Sequence, residues 1–227
     1  MKFYVVAASI AILFFSSCSK NNVSPPKKDP TTTTDTTKVT IKGVDYPVVT
    51  IGKQRWTAIN YNGPGGYDLT PAGSAADWGR LYSRSAAMAV NLPDGWRLPT
   101  NQDYISMYTY VIKNSGYYDT TYKIYAMLLA APTGWLYFKG NGKFNAYPYG
   151  DVQILTGHIY LPEYMGYIAQ YWTSSTYSIG GITYYNAFEI TTVENPQPSL
   201  PDQVTIENRL PVDTIFHLPV RFVKDVN

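Results

Sequence analysis

From Val39 onward the apolar and polar positions first alternate, then recur at helical spacing, then alternate again. Val39-Thr40-Ile41, Tyr46 to Ile51 and Gln54 to Asn60 are three β-rich runs, punctuated by Gly43 to Asp45 and by Gly52-Lys53 as an antiparallel meander requires. Leu81 to Val90 is rich in Ala and predicts a helix. A longer one begins after Thr100, whose hydroxyl can accept from the next turn's amides, with Asp103 in the reciprocal position of a capping box. Tyr104, Ile105, Tyr108, Val111 and Ile112 then fall on one helical face. Thr121 to Ala130 predicts a third, shorter helix. The rest is rich in turns, with strands predicted at Ala169 to Ser174, Thr183 to Thr191, Val204 to Asn208 and Pro219 to Val226. Two or three short helices within twisted antiparallel sheets make the expected class α+β.

Upstream of Val39 the pattern is different. Phe3 to Phe15 is apolar apart from Tyr4 and Ser9, follows Lys2, and ends in Ser16-Ser17-Cys18. That is too short to span a bilayer and has the order of a secretory signal, predicted here as residues 1–17. Phe15-Ser16-Ser17-Cys18 resembles a lipobox, with Phe15 in place of the usual Leu. The resemblance implies that Cys18 is acylated, so that the membrane partner is reached through a lipid anchor. Cys18 is the only Cys in the chain, so no internal disulfide can form.

Residues 18–38 read as a tether. Between Ser19 and Thr37 only Val23 is apolar, too little to offset the entropy of ordering. About twenty such residues separate the domain from its anchor by about 25 Å on average. Asp35-Thr36-Thr37 resembles a bacterial O-glycosylation acceptor, as do Asp119-Thr120-Thr121 and Asp213-Thr214-Ile215. The expected location is the cell envelope, lipid-anchored at the outer membrane. Ser19 suits outer-membrane sorting, while Lys20-Asn21-Asn22 lacks the acidic pair of a surface-export signal, so the periplasmic and the exposed sides both stay open.

Charge narrows the partners. The chain holds 18 Lys and Arg against 16 Asp and Glu. Lys2, Lys20, Lys27, Lys28 and Lys38 precede residue 39, as do Asp29 and Asp35, which leaves residues 39–227 nearly neutral. No nucleic-acid footprint is present.

Six short motifs recur in order across that single domain: Val49-Thr50-Ile51-Gly52-Lys53-Gln54-Arg55-Trp56, Gly79-Arg80-Leu81-Tyr82 with Ala86-Ala87-Met88, Gly95-Trp96-Arg97-Leu98-Pro99-Thr100, Tyr171-Trp172-Thr173-Ser174-Ser175, and Val220-Arg221-Phe222-Val223-Lys224-Asp225. Together they resemble the FISUMP domain (major paralogous domain) of bacterial surface lipoproteins. The Gly-Trp-Arg-Leu-Pro-Thr piece is also similar to formylglycine-generating enzymes of the C-type-lectin-like fold group. The resemblance implies a C-type-lectin-like domain with its first and last strands paired and a long irregular loop region on one side. Trp56, Trp96 and Trp172 read as scaffold, each ring filling core and its N–H finding a carbonyl. Where the family often carries Cys, this chain has Leu92 and Phe222, so an apolar contact between the two is expected in place of a disulfide. The family often has an acid where Ile59 precedes Asn60, which removes the expected polar role there.

Enzyme chemistry finds few candidates. The cysteine chemistry of the formylglycine relatives is excluded, because the mature domain has no Cys. Two His remain: His217 between Phe216 and Leu218 reads as packed, and His158 is open to either role. No zinc-protease, nucleophile-elbow, P-loop or dinucleotide motif occurs. The acids are scattered, Glu189 lying in a predicted strand and Glu163 beside Pro162. Glu194-Asn195-Pro196-Gln197-Pro198 has the wrong order for a sugar-binding calcium triplet. No catalytic residue, metal or cofactor is expected.

The 22 Tyr supply the positive signal. Trp135, Tyr137, Tyr147 and Tyr149 are the candidate ligand-contacting rings, either as an exposed binding surface or as cover for a thin core. Two functions remain open: a non-catalytic binding module for glycan or protein, and a structural or assembly subunit of a cell-surface structure. A carboxylate-dependent enzyme is a distant third, which a cleft with two suitably spaced acids would revive.

Overall fold

A computed structural model describes residues 37–68, 76–116, 122–136, 140–155, 158–163, 165–191, 203–209 and 215–226. The predicted signal peptide, Cys18 and the tether up to Thr36 lie outside the described residues, as do Tyr117-Tyr118, Tyr137 and Glu194 to Pro198. In chain order the elements are β1 (Lys38–Ile41), β2 (Val44–Ile51), β3 (Gln54–Thr57), α1 (Arg84–Met88), α2 (Asn101–Asn114), α3 (Tyr122–Leu129), β4 (Asp151–Leu155), β5 (His158–Glu163), β6 (Ile168–Ile179), β7 (Ile182–Thr191), β8 (Gln203–Arg209) and β9 (Val223–Asp225). Three antiparallel sheets run β1-β2-β3-β9, β4-β5 and β6-β7-β8, so the domain is α+β with strands dominant.

The expected opening meander is present, turning at Lys42-Gly43 and Gly52-Lys53. The last strand pairs with β3, Trp56 opposite Val223, and not with the first strand as the family resemblance implied. β9 is also shorter than predicted. Its other edge meets Arg97, whose N–H and carbonyl both bond Val223. Upstream, Pro219 to Phe222 leave the ladder yet stay buried, Tyr61 and Thr57 donating their N–H groups to the carbonyls of Val220 and Phe222.

α2 begins as its cap predicts: Thr100 accepts from the Asp103 N–H, and the Asp103 carboxylate accepts in return from the Thr100 N–H. Its buried stripe differs from expectation. Tyr104 and Met107 are buried, Tyr108 and Val111 pack beside them, and Ile105 is 38% exposed, being one residue and thus about 100° off the stripe. The first helix shrinks to five residues capped by Ser83.

Strand periodicity explains the core. On β2, Tyr46 and Val48 enter one apolar cluster while Val49 and Ile51 enter another, so both faces of that sheet are covered. Tyr171 and Trp172 of β6 divide in the same way, as do Phe188 and Ala187 of β7. One cluster gathers Trp56, Tyr104, Met107, Phe144, Tyr171 and Phe188; Tyr104 stacks on Phe188 with centroids 4.4 Å apart. The other holds Tyr61, Tyr82, Leu98, Trp172 and Phe222, with Leu92 and Trp96 packed half-buried against it.

Candidate functional site

Three of the four rings proposed from sequence are described, and those three do not form an exposed surface. Trp135, Tyr147 and Tyr149 are all buried, Trp135 being the most accessible at 8%, and Tyr137 lies outside the described residues. Trp135 donates its indole N–H to the Ala146 carbonyl at 3.0 Å, and Tyr149 donates its hydroxyl to the Gly79 carbonyl at 2.9 Å. Tyr147 and Tyr149 pack on Trp78 with centroids 5.3 and 5.0 Å away, making a third apolar cluster. Burial holds the Tyr147 hydroxyl above its ordinary pKa. These rings cover core, as one of the two readings of the tyrosines required.

Of the motif tryptophans, Trp172 donates to the Tyr82 carbonyl at 2.7 Å as expected. Trp56 departs from expectation: it is fully buried, and its indole nitrogen has no hydrogen-bond partner among the described residues. His217 is buried as predicted, edge-on to Tyr67 at 5.0 Å. Glu189 is buried within β7, accepting from Gln170 and Thr191.

The sequence carried no signal for one opening among the described residues. A cleft of about 380 Å³ lies between Pro47, Val48 and Val49 of β2, the Ala58-Ile59 segment that leaves β3, and the loop carrying Gly142, Lys143 and Asn145; Thr37 and Lys38 complete its rim. Its lining is mostly apolar, and among the described residues the lysines are its only ionisable side chains.

The loop wall is pinned in place. Gly142 donates its N–H to the Ala130 carbonyl at 3.0 Å, Ala146 to Leu129 at 3.0 Å, and Phe144 is buried in the core. A Cβ on Gly142 would stand 2.3 Å from the Leu128 carbonyl oxygen, so only glycine allows this approach. Asn145 turns the chain with a φ of 57°. The cleft is thus preformed, which lowers the cost of occupying it.

Arg221 sits directly behind this wall, fully buried. Its Nε donates to Asn60 Oδ1 at 2.5 Å, Nη1 to the Thr57 carbonyl at 2.7 Å and Nη2 to the Asn145 carbonyl at 2.8 Å. The guanidinium lies over Phe144 at 5.0 Å and Tyr171 at 5.8 Å. Burial pulls its pKa down, and the tyrosine hydroxyls around it partly oppose that. A guanidinium stays protonated nonetheless. Its contacts are neutral acceptors and ring faces, so no carboxylate among them cancels its charge; at the rim, Lys38 lies 3.8 Å from Asp45. Asn60, fully buried, also donates to the Trp78 carbonyl at 2.7 Å. The polar role that Ile59 removed from its own position is thus held by Asn60 itself.

A second charged cluster sits where α2 starts. Arg97 bonds Asp103 through both terminal nitrogens, one of them at 2.9 Å from Oδ1, and reaches Asp225 at 2.9 Å. Gln54 adds a 2.6 Å bond from its amide to Asp103. Burial alone would raise the Asp103 pKa, but the hydrogen bonds from Arg97 and Thr100 outweigh it and hold the carboxyl below its ordinary value. Two acids bridged by one arginine tie helix to strand.

Among the described residues no three His, Cys, Asp or Glu side chains converge on a metal position, and no helix is long and apolar enough to cross a membrane. No protein family, curated protein or solved structure matches the chain.

Proposed function

We propose that this chain is a lipid-anchored envelope protein whose domain is a non-catalytic binding module, and that the cleft between β2 and the 142–145 loop takes an apolar group bearing a carboxylate on a protein or peptide ligand. The observation that carries this reading is the cleft itself: preformed, apolar, rimmed by Lys38 and Lys143, and backed by the buried Arg221. Such a site holds an apolar side chain by burial and its neighbouring acid by charge. A glycan ligand loses its support, because no aromatic ring lines the cleft and the described candidate rings are buried. The enzyme reading loses its own, since neither an acid nor a histidine lines it.

The six motifs in order support membership of the FISUMP group, and an α+β domain with dominant antiparallel strands is compatible with a lectin-like fold. The address rests on the segment from Lys2 to Cys18: Cys18→Ala should move the protein from the membrane to the soluble fraction, and retention in the membrane would overturn the anchor.

Peptide-display panning on the purified protein tests the cleft. Recovered peptides should pair an apolar residue with Asp or Glu. Their binding should weaken at least about tenfold in Lys143→Glu, equivalent to about 1.4 kcal/mol, and should also be lost in Ala58→Trp, which fills the cleft. Peptides that bind both variants unchanged, or no recovery above background, would remove the proposal.

A further inference from the structure

Among the described residues, the outer end of the β6–β7 hairpin stands clear of the other strands. β8 pairs with β7 only as far as Tyr185 opposite Arg209, and beyond that point β6 and β7 pair with each other alone among the described residues. The ribbon closes through Gly180-Gly181, with φ of 59° and 79°, the left-handed pair that a two-residue turn of matching twist requires. Ile179 lies opposite Ile182, and Tyr177 opposite Tyr184. Strand alternation puts these four side chains on one face. Ser178 and Thr183, hydroxyls 3.0 Å apart, take the other.

Ile179 is 57% exposed, Ile182 49% and Tyr177 48%. No charged residue occurs from Thr176 to Tyr184. The Arg84 guanidinium, 4.5 Å over the Tyr185 ring, belongs to the other face of the ribbon. From tip to base the exposed apolar face therefore runs aliphatic and then aromatic, the order a side-chain column meets on passing from acyl chains into the membrane interface. Two residues of strand separate the isoleucines from the tyrosines, about 7 Å, comparable with the roughly 5–10 Å over which an interfacial segment enters a bilayer.

We propose that the tip of this hairpin is a lipid-inserting wedge that docks the domain against the membrane surface, Ile179 and Ile182 entering the acyl region and Tyr177 and Tyr184 lying at the interface. A second copy of the chain is the poorer occupant. Four partly exposed side chains offer on the order of 400 Å², against about 800 Å² per partner in a stable dimer. The proposal rests on the anchored location proposed above, since a tether of about twenty residues reaches at most about 70 Å when fully extended and so holds the tip within range of a bilayer.

The test uses the full mature chain in phosphatidylethanolamine–phosphatidylglycerol vesicles. Acylation blocks Cys18, so Ile179→Cys presents a single thiol for a nitroxide label, and Lys42→Cys, at the exposed β1–β2 turn, serves as the control. The nitroxide at 179 should relax mainly with oxygen and the one at 42 mainly with a nickel chelate, an inverted accessibility ratio. Equal nickel accessibility at both positions would overturn the wedge while leaving the anchor standing. Dipolar broadening between labels at 179 would overturn it in favour of a second copy. Two labels per chain would instead show Cys18 to be unacylated and so remove the anchor. The wedge would then be decided by the signal at 179 after subtraction of the wild-type label at Cys18.

Discussion

Asp103→Ala removes the carboxylate that joins the start of α2 to β3 and β9, and its cost can be worked from the contacts it ends. The Thr100 N–H and hydroxyl each lose an acceptor at 2.7 Å, which breaks the capping box at about 1 kcal/mol. The buried Gln54 amide loses the 2.6 Å bond it donates, at about 1–2 kcal/mol for a desolvated donor. Arg97 loses its bidentate partner; because that side chain is 37% exposed, its share is taken at about 0.5–1 kcal/mol. The sum is about 3 kcal/mol, equivalent in a domain of this size to about 6–12 °C in Tm. Urea unfolding followed by far-UV circular dichroism measures it directly. The carboxyl is held below its ordinary pKa, so its contribution is present above the unfolded value, near 4, and is lost as pH falls through the lower folded value. Wild-type stability should therefore fall on acidification, and Asp103→Asn should flatten that slope while costing less than Asp103→Ala. A loss below about 1 kcal/mol, or an unchanged acid slope in Asp103→Asn, would refute the reasoning.

Trp172→Phe removes the indole donor from the Tyr82 carbonyl, which keeps the Leu218 N–H, and leaves a gap where the fully buried ring was trimmed; it should cost about 1–3 kcal/mol by urea titration, with the far-UV spectrum unchanged. At the hairpin tip, Gly180→Asn should be close to neutral and Gly181→Val should destabilise by about 1–2 kcal/mol, because both positions are left-handed and a β-branched residue resists that backbone; paired thermal melts decide it. Burial raises the pKa of the Tyr82, Tyr104 and Tyr171 hydroxyls, so the stability they confer is complete below their ordinary value of 10.0 and declines as pH rises above it. An absorbance titration should show these phenols ionising only with unfolding, and early smooth ionisation of all tyrosines would contradict it.

The elements that carry their own local signal were legible. The Thr100–Asp103 cap, the glycine turns and the alternation of β2 and β7 are decided within a few residues. β4 and β5 were missed: the flanking turn residues mask a short ladder, and the register shift between Asp151 and Gln153 breaks its alternation. The tyrosines misled because side-chain chemistry does not report burial. A ring suited to a ligand is equally suited to covering Trp78, and neighbours such as Gly79 decide between the two. The cleft was illegible for a related reason. Its walls come from residues 37–38, 47–49, 58–59 and 142–145, and its loop wall is held from behind through the Asn145 carbonyl by Arg221, which the sequence presents only as part of a terminal motif.

The bonds from Arg221 to Asn60 and Thr57 span 161 and 164 residues. Contacts so distant along the chain are slow to form, and here one side of them is synthesised long after the other. Until residues 221–225 emerge, the N-terminal sheet lacks its fourth strand, and Asn60 and the Thr57 carbonyl lack their cation. Completion of the core therefore waits until well over a hundred residues after Thr57 and Asn60 have been made. Were the chain exported as proposed above, that delay would offer a channel that passes only unfolded polypeptide a chain that has not yet been able to close.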